Sequence, residues 1–330
     1  MEIVGINYRY HFTTLTDTQK TIYELVYKKI NSCGAHTSLP FIHVNEIWLA
    51  FEAMLLDNPL IFYTDGYKYT KDLNKKKIEM QPEYKLPSNQ VSKLKSMISS
   101  SLSFVESVKK SSDFEKVKYV HDYILDTVTY DYSVSKDSHS VVGVALSKSG
   151  VCEGIAKYVK LALDCLSIKS IVVTGRAVNP AFEQDTNEPH AWNMVEVDGK
   201  WYHMDVTFDL TLKHKTNRYD YFLVGDKDIS ISHTSGQKLP PTSNIAMDYY
   251  SINGLTAANF VELGKLIYTS ITNKQRIVQL RLLNVGNRDD QSEMVLQEAE
   301  KQCKLLLSSR GYSIAVRYNN LLWVFEIEIT

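Results

Sequence analysis

The sequence predicts an α+β protein. Stretches such as TDTQKTIYELVYKKI and DFEKVKYVHDYILDTV repeat apolar residues every three or four positions, the period of a one-sided helix. HAWNMVEV–DG–KWYHMDVT reads as two strands about a tight turn. Beyond residue 245, helix-like and strand-like segments alternate over a short span. A length of 330 residues accommodates two domains and a small third one.

The elements are expected in this order. LTDTQKTIYELVYKKI is a helix opened by a capping box, Thr16 to Gln19, with the stripe Ile22, Leu25, Val26 and Ile30. VNEIWLAFEAMLLD is a second helix, stopped at Asn58-Pro59. LIFYTDGYKYT reads as a hairpin around Asp65-Gly66, and LNKKKIEM as a solvated strand or turn. From residue 88 the pattern is helical again, through SNQVSKLKSMISSSLSFVESVKK and DFEKVKYVHDYILDTV. After the polar segment SVSKDSHS come a helix from Cys152, the strand SIVVTGRAV, the hairpin and a strand RYDYFLV. SGQKLPPTSN, near residue 240, is a linker. The chain then runs helix 256–272, strand 275–283, helix 289–307, and two strands about Asn319-Asn320. This divides the chain into an N-terminal helical and hairpin region (1–87), a core (88–240) and a small C-terminal α/β module (245–330).

Composition narrows the function. A formal net charge of -1 gives no electrostatic case for nucleic acid or an anionic membrane. No apolar run approaches a membrane span, and the first residues lack the basic and apolar regions of a signal peptide. Cys33, Cys152, Cys165 and Cys303 are scattered, without CxxC spacing or a histidine partner at zinc spacing. Neither a metal nor another cofactor is implied.

Cys152 stands out within SKSGVCEGIAKYVKLALDCL. It shares a helix face with Ile155, Ala156, Val159, Leu163 and Leu166; Glu153, Lys157, Lys160 and Asp164 form the other face. Core filling is one reading, since free cysteines are often buried and inert. The other starts from position. With Ser149 as N-cap, Cys152 lies in the first turn, where unpaired N–H groups and the helix dipole favour a thiolate and can hold an oxyanion.

A thiol nucleophile needs a base, and the base needs an orienting group. If Asp198-Gly199 forms a type I′ turn, Val197 pairs with Lys200 and Trp192 faces Asp205. One sheet face then carries His190, Trp192, Met194 and Glu196 beside Trp201, His203, Asp205 and Thr207, as a polar and aromatic cleft wall. The other face, with Ala191, Val195, Val197, Tyr202, Met204 and Val206, is core. His190 and Asp205 are diagonal neighbours, roughly 7–8 Å apart at the backbone, a gap their side chains can bridge. A surface His–Asp pair is the plain alternative. Asp209 and His203 compete for the two roles.

Cys152, His190 and Asp205, in that order, together with HDYILDTVTYDY, ALSKSGVCEGIAKYVKLAL and HAWNMVEVDGKWYHMDVTFD, resemble the transglutaminase-like superfamily, in its bacterial branch of predicted cysteine proteases and transglutaminases. YDYFLVGD is a weaker echo. The resemblance implies a papain-like α+β core in which a helix carries the nucleophile and packs on an antiparallel sheet bearing the histidine and aspartate. Carried over, Cys152 is the nucleophile, His190 the base and Asp205 the orienter. Two positions depart from the pattern: Ile155 replaces a usual aromatic, and Ser167 a usual glycine. Trp192, Trp201, Tyr130 and Tyr132 are candidates for the substrate groove. The expected reaction is thiol-dependent acyl transfer on a protein or peptide carboxamide, by water or by an amine. The alternative is a non-catalytic peptide- or cell-wall-binding module on the same fold.

Overall fold

In the N-terminal region, local signals settle most boundaries. The computed structural model describes residues 8–181, 187–283, 291–307 and 311–330. After a short α1 (Tyr10–Thr14), α2 (Asp17–Asn31) opens on the expected capping box. Thr16 Oγ1 accepts from the Gln19 amide at 3.3 Å, and Gln19 Oε1 accepts from the Thr16 amide at 2.8 Å. Its buried stripe is Ile22, Tyr23, Val26 and Ile30; Leu25 lies outside it and is exposed. β1 (Thr37–Pro40) and α3 (Val44–Asp57) follow.

The next hairpin corrects the expected turn. β2 (Thr64–Asp72) runs straight through Gly66 and pairs with β3 (Lys77–Tyr84), so the chain reverses in the Leu73–Lys76 segment. The Asp-Gly pair instead marks a register shift between Thr64 and Gly66, an extra residue accommodated as a bulge. The sheet, in order β1-β3-β2, packs with α2 and α3 around a first core containing Phe51, Met54, Tyr63, Ile78 and Met80.

α4 (Ser88–Ser101) does not continue as one long helix; it tightens into a 3₁₀ segment, Leu102–Val108. The hydroxyls of Ser99, Ser100 and Ser101 bond back to the carbonyls of Lys95, Ser96 and Ile98, competing with the regular ladder at this end. α5 (Asp113–Thr127) opens on a second capping box, Ser112 with Glu115. β4 (Thr129–Tyr130) pairs in parallel with β5 (Ser149–Gly150), which leads into α6 (Cys152–Cys165).

β6 (Ser170–Ala177), β7 (Glu188–Val197) and β8 (Lys200–Met204) form an antiparallel sheet. Asp198 and Gly199 both have positive φ, 51° and 76°, and Val197 pairs with Lys200. α7 (Val206–Leu212) and α8 (Asp226–Ile229) precede the short edge strand β9 (His233–Thr234), giving the order β8-β7-β6-β9. RYDYFLV is not a strand. Its backbone is irregular, Leu223 takes φ 53°, and a bridge from Val224 to His203 is its pairing to the sheet. Tyr221, Phe222, Leu223 and Val224 are all buried, and Asp220 is held by Arg218, so the segment fills core on several sides.

The last elements are α9 (Tyr249–Ile252), β10 (Thr256–Ala257), α10 (Phe260–Thr272), β11 (Ile277–Leu282), α11 (Gln291–Leu307), β12 (Ile314–Asn319) and β13 (Val324–Ile329). The helix expected from 256 starts at Phe260, because Asn259 caps it by accepting from the amides of Val261 and Glu262. Thr256 and Ala257 join the sheet β10-β11-β13-β12 instead. Positions 289 and 290 of the expected second helix lie outside the described residues. Among the described residues, no helix is long and apolar enough to cross a membrane.

Candidate active site

α6 begins at Cys152 itself. Its N-cap is Val151, which offers no side-chain bond; Ser149 pairs with Thr129 in β5 and does not cap. The first N–H groups of such a helix have no intrahelical acceptor. The helix is also more enclosed than its charge pattern suggested. Lys160 and Asp164 are buried, with Lys160 Nζ 3.1 Å from an Asp164 oxygen and 3.0 Å from the Tyr8 carbonyl.

A loop holds the start of this helix. Asp131 accepts from the amides and hydroxyls of Ser133 and Ser135 and from the Ser138 hydroxyl, and these bonds hold its carboxyl well below the usual range. The Ser138 carbonyl then accepts from the Val151 amide at 3.0 Å. It sits so close to Gly154 that a Cβ there would stand 2.3 Å from it. Glycine in CEG is therefore a packing requirement. The segment SVSKDSHS, polar and otherwise featureless in sequence, closes over the end of the helix that carries the thiol.

Cys152 is half-buried and packs against Leu56 of α3, Ala156 of α6, Val172 of β6 and Ala191 of β7. His190 reaches Asp205: its Nε2 is 2.6 Å from Oδ2. β8 ends at Met204, so Asp205 is not a strand residue but the N-cap of α7, its Oδ1 accepting from the Phe208 amide at 3.1 Å. The helix cap thus fixes the carboxylate plane. Burial works to lower the pKa of His190, but the Asp205 charge and hydrogen bond, with a hydrogen bond to Cys152, outweigh it and push the imidazole up to about 10. Burial alone would raise the Asp205 carboxyl; His190 and His233 hold it well below the usual carboxylate range.

His233 is the residue that pattern reading missed. Its Nε2 lies 2.9 Å from the same Asp205 Oδ2, and its Nδ1 is 2.7 Å from Ser232 Oγ. It comes from β9, whose Thr234 carbonyl approaches Gly175 so closely that a Cβ there would lie 2.0 Å away. Gly175 is the one faint sequence signal for that approach. The ligating atoms of His190, Asp205 and His233 lie within 4.8 Å of one another. Both contacts to Oδ2 have N–H···O lengths, so that oxygen is the hub of a hydrogen-bonded cluster.

The remaining candidates divide. Tyr130 stands near the thiol: burial raises its pKa to about 12, and Cys152 is the next contributor. Tyr132 is 68% exposed, with its ring 4.9 Å from that of Tyr130. The expected open wall is covered, which corrects the reading of Trp192 and Trp201 as facing a groove. Trp192 is buried with Ile171, Val173 and Met194, and Trp201, Tyr8, Tyr10 and Leu239 close over them. Trp192 Nε1 donates to His203 Nδ1 at 3.0 Å, and His203 Nε2 donates to Asp226. That chain employs His203 elsewhere. Asp209 is likewise engaged, 2.9 Å from His121.

The helix α6 and the β7–β8 hairpin fall within a segment that is similar to a transglutaminase-like family model. Residues 102–206 match the family model described as Transglutaminase-like superfamily, a span that includes Cys152, His190 and Asp205. Among solved structures, the crystal structure of a TGase is similar at 17% identity, over 64% of this chain and 54% of that one, with a TM-score of 0.32. A candidate cysteine protease from Cytophaga hutchinsonii is similar at 14% identity, over 43% of this chain and 61% of that one, with a TM-score of 0.28. The chain thus spans about half the length of the TGase it matches. No curated protein matches it.

Proposed function

We propose that this chain carries out thiol-dependent acyl transfer on peptide or carboxamide substrates through Cys152, His190 and Asp205. The observation that carries the proposal is the 2.6 Å bond from His190 Nε2 to Asp205 Oδ2. It commits one ring nitrogen to the carboxylate and leaves the other for the thiol at the start of α6. Cys152 attacks the carbonyl carbon as a thiolate, having given its proton to His190. The carbonyl oxygen becomes an oxyanion beside the N–H groups of the first turn of α6. His190 then returns the proton to the departing amine, and a thioester remains on Cys152. Water resolves it to an acid, as in a protease or amidase; an amine resolves it to a new amide, as in a transglutaminase. Tyr130 and Tyr132 are the proposed groove residues, since one stands near the thiol and the other presents an exposed ring beside it.

The test is a screen with casein and a fluorescent primary amine, run beside Cys152→Ala. Cleavage lost in the variant identifies a protease; amine labelling lost in the variant identifies a crosslinking enzyme. In parallel, iodoacetamide should modify Cys152 below pH 7 faster than Cys33 or Cys303, and His190→Ala should slow it by roughly 10²-fold. No product together with unselective alkylation would defeat the proposal and favour the binding module.

A further inference from the structure

The His190–Asp205 pair has a second histidine attached to it. His233 is buried in an aromatic box formed by Trp192, Phe208 and Tyr221, with ring centroids 4.9, 4.7 and 5.5 Å away. Its Nε2 faces the Asp205 oxygen that already holds His190. A carboxylate accepts, so Nε2 carries the proton, and the Ser232 hydroxyl donates to Nδ1. We propose that His233 is a positioning residue for the active site: by sharing Asp205 Oδ2 it moderates that oxygen's hold on His190 and keeps the imidazole aimed at Cys152. The inference rests on the reading of Cys152 and His190 given above.

The physical argument is one of shared acceptor capacity. An oxygen with one donor gives that donor all its charge; with two, each bond is weaker. A second donor therefore weakens the hold of Asp205 on the His190 Nε2 proton and so lowers the basicity of the opposite ring nitrogen, which takes up and releases a proton at each turnover. His233 can do this without adding charge, because burial lowers its pKa. The titratable groups around the two rings are Asp205, Cys152, His203 and Tyr221. Of these, the Asp205 oxygen is the one that both rings contact.

The experiment uses the full chain and follows the proton resonance of His190 Nε2 at pH 6, beside the pH profile of iodoacetamide alkylation. His233→Leu removes the second donor. The resonance should move downfield, and the alkaline limb of alkylation should rise by about half a pH unit. His233→Gln keeps an N–H near the position of Nε2 and should hold the resonance close to wild type. Ser232→Ala releases Nδ1 and should move it in the same direction by less; it decides the matter if His233→Leu does not fold. An unmoved resonance in the folded variants overturns the inference. A moved resonance with Cys152 alkylated no faster than Cys33 would sustain the hydrogen-bonded hub and refute the proposed chemistry.

Discussion

Asp209, one helical turn beyond Asp205, is paired with His121 of α5 at 2.9 Å and not with His190. Its other oxygen accepts from the Tyr221 amide at 3.0 Å. Two carboxylates of one short helix thus serve three histidines: Asp205 turns toward the sheet and holds His190 and His233, while Asp209 ties α7 to His121 of α5. Burial pushes the Asp209 carboxyl up to about 7, with His121 opposing. Asp205→Asn should therefore lower turnover by roughly 10²–10⁴-fold with the fold retained. Asp209→Asn should cost about 1–2 kcal/mol of stability and leave Cys152 alkylation within about threefold of wild type. Turnover, alkylation rate and urea denaturation of the two variants check this; equal losses of turnover would contradict it.

The buried His190–Asp205 pair also sets a pH window for stability. His190 is raised from 6.5 to about 10, so its stabilising contribution is full below pH 6.5 and is lost as pH rises through about 10. Asp205 is depressed, so its contribution is present above its unfolded pKa, about 3.9, and is lost as pH falls through the folded value. Both are complete between about pH 4 and 6.5. The melting-temperature advantage of wild type over His190→Gln should be greatest there and shrink steadily up to pH 10. An advantage that grows with pH would contradict the proton placement.

What sequence could reveal depended on distance along the chain. The β7–β8 register was legible because Asp198-Gly199 and the alternation beside it are local, and Val197 does pair with Lys200. The cover on that hairpin was not legible, since Tyr8 and Tyr10 arrive from the N-terminal region and Leu239 from the far end of the core. Lys160 and Asp164 have the spacing of a solvated face, and nothing local distinguishes that from a buried pair capped by the Tyr8 carbonyl. His233 sits on a two-residue edge strand, too short for a periodic signal. Asp131 is the reverse case: its partners are all within seven residues, yet Asx-type turns leave only a serine-rich composition to read.

Ser167 occupies a position better suited to glycine. α6 ends in a Schellman arrangement, with the Ile168 amide bonded to the Leu163 carbonyl and the Ser167 amide to the Asp164 carbonyl, each at 3.0 Å. The residue between helix and strand must then be left-handed, and Ser167 has φ 58°. A side chain with a Cβ costs roughly 1–2 kcal/mol there, partly offset by the extra freedom glycine gives the unfolded chain. Ser167→Gly should stabilise the protein by about 0.5–1 kcal/mol, read as a higher urea midpoint at unchanged slope. A lower midpoint would mean that the serine side chain contributes more than its backbone costs.

Asp57, the last residue of α3, anchors the start of the described chain to the core. Its carboxylate accepts from the His11 amide at 3.0 Å, the Phe12 amide at 2.9 Å and the Tyr23 hydroxyl at 3.2 Å. His11 in turn reaches the Val172 carbonyl of β6 at 2.9 Å. Leu56, beside Asp57, packs in the cluster that includes Cys152. A buried carboxylate is thus one of the links that couple the N-terminal region to the thiol's surroundings, beside the His11–Val172 and Lys160–Tyr8 bonds. Asp57→Ala leaves three donors without acceptors and should cost about 3 kcal/mol. Amide exchange at His11 and Phe12 should accelerate first, since α1 loses its acceptor while the core sheet does not. Iodoacetamide should then reach Cys152 faster as Leu56 loosens; uniform exchange across the chain, with alkylation unchanged, would show that α1 and the site are independent.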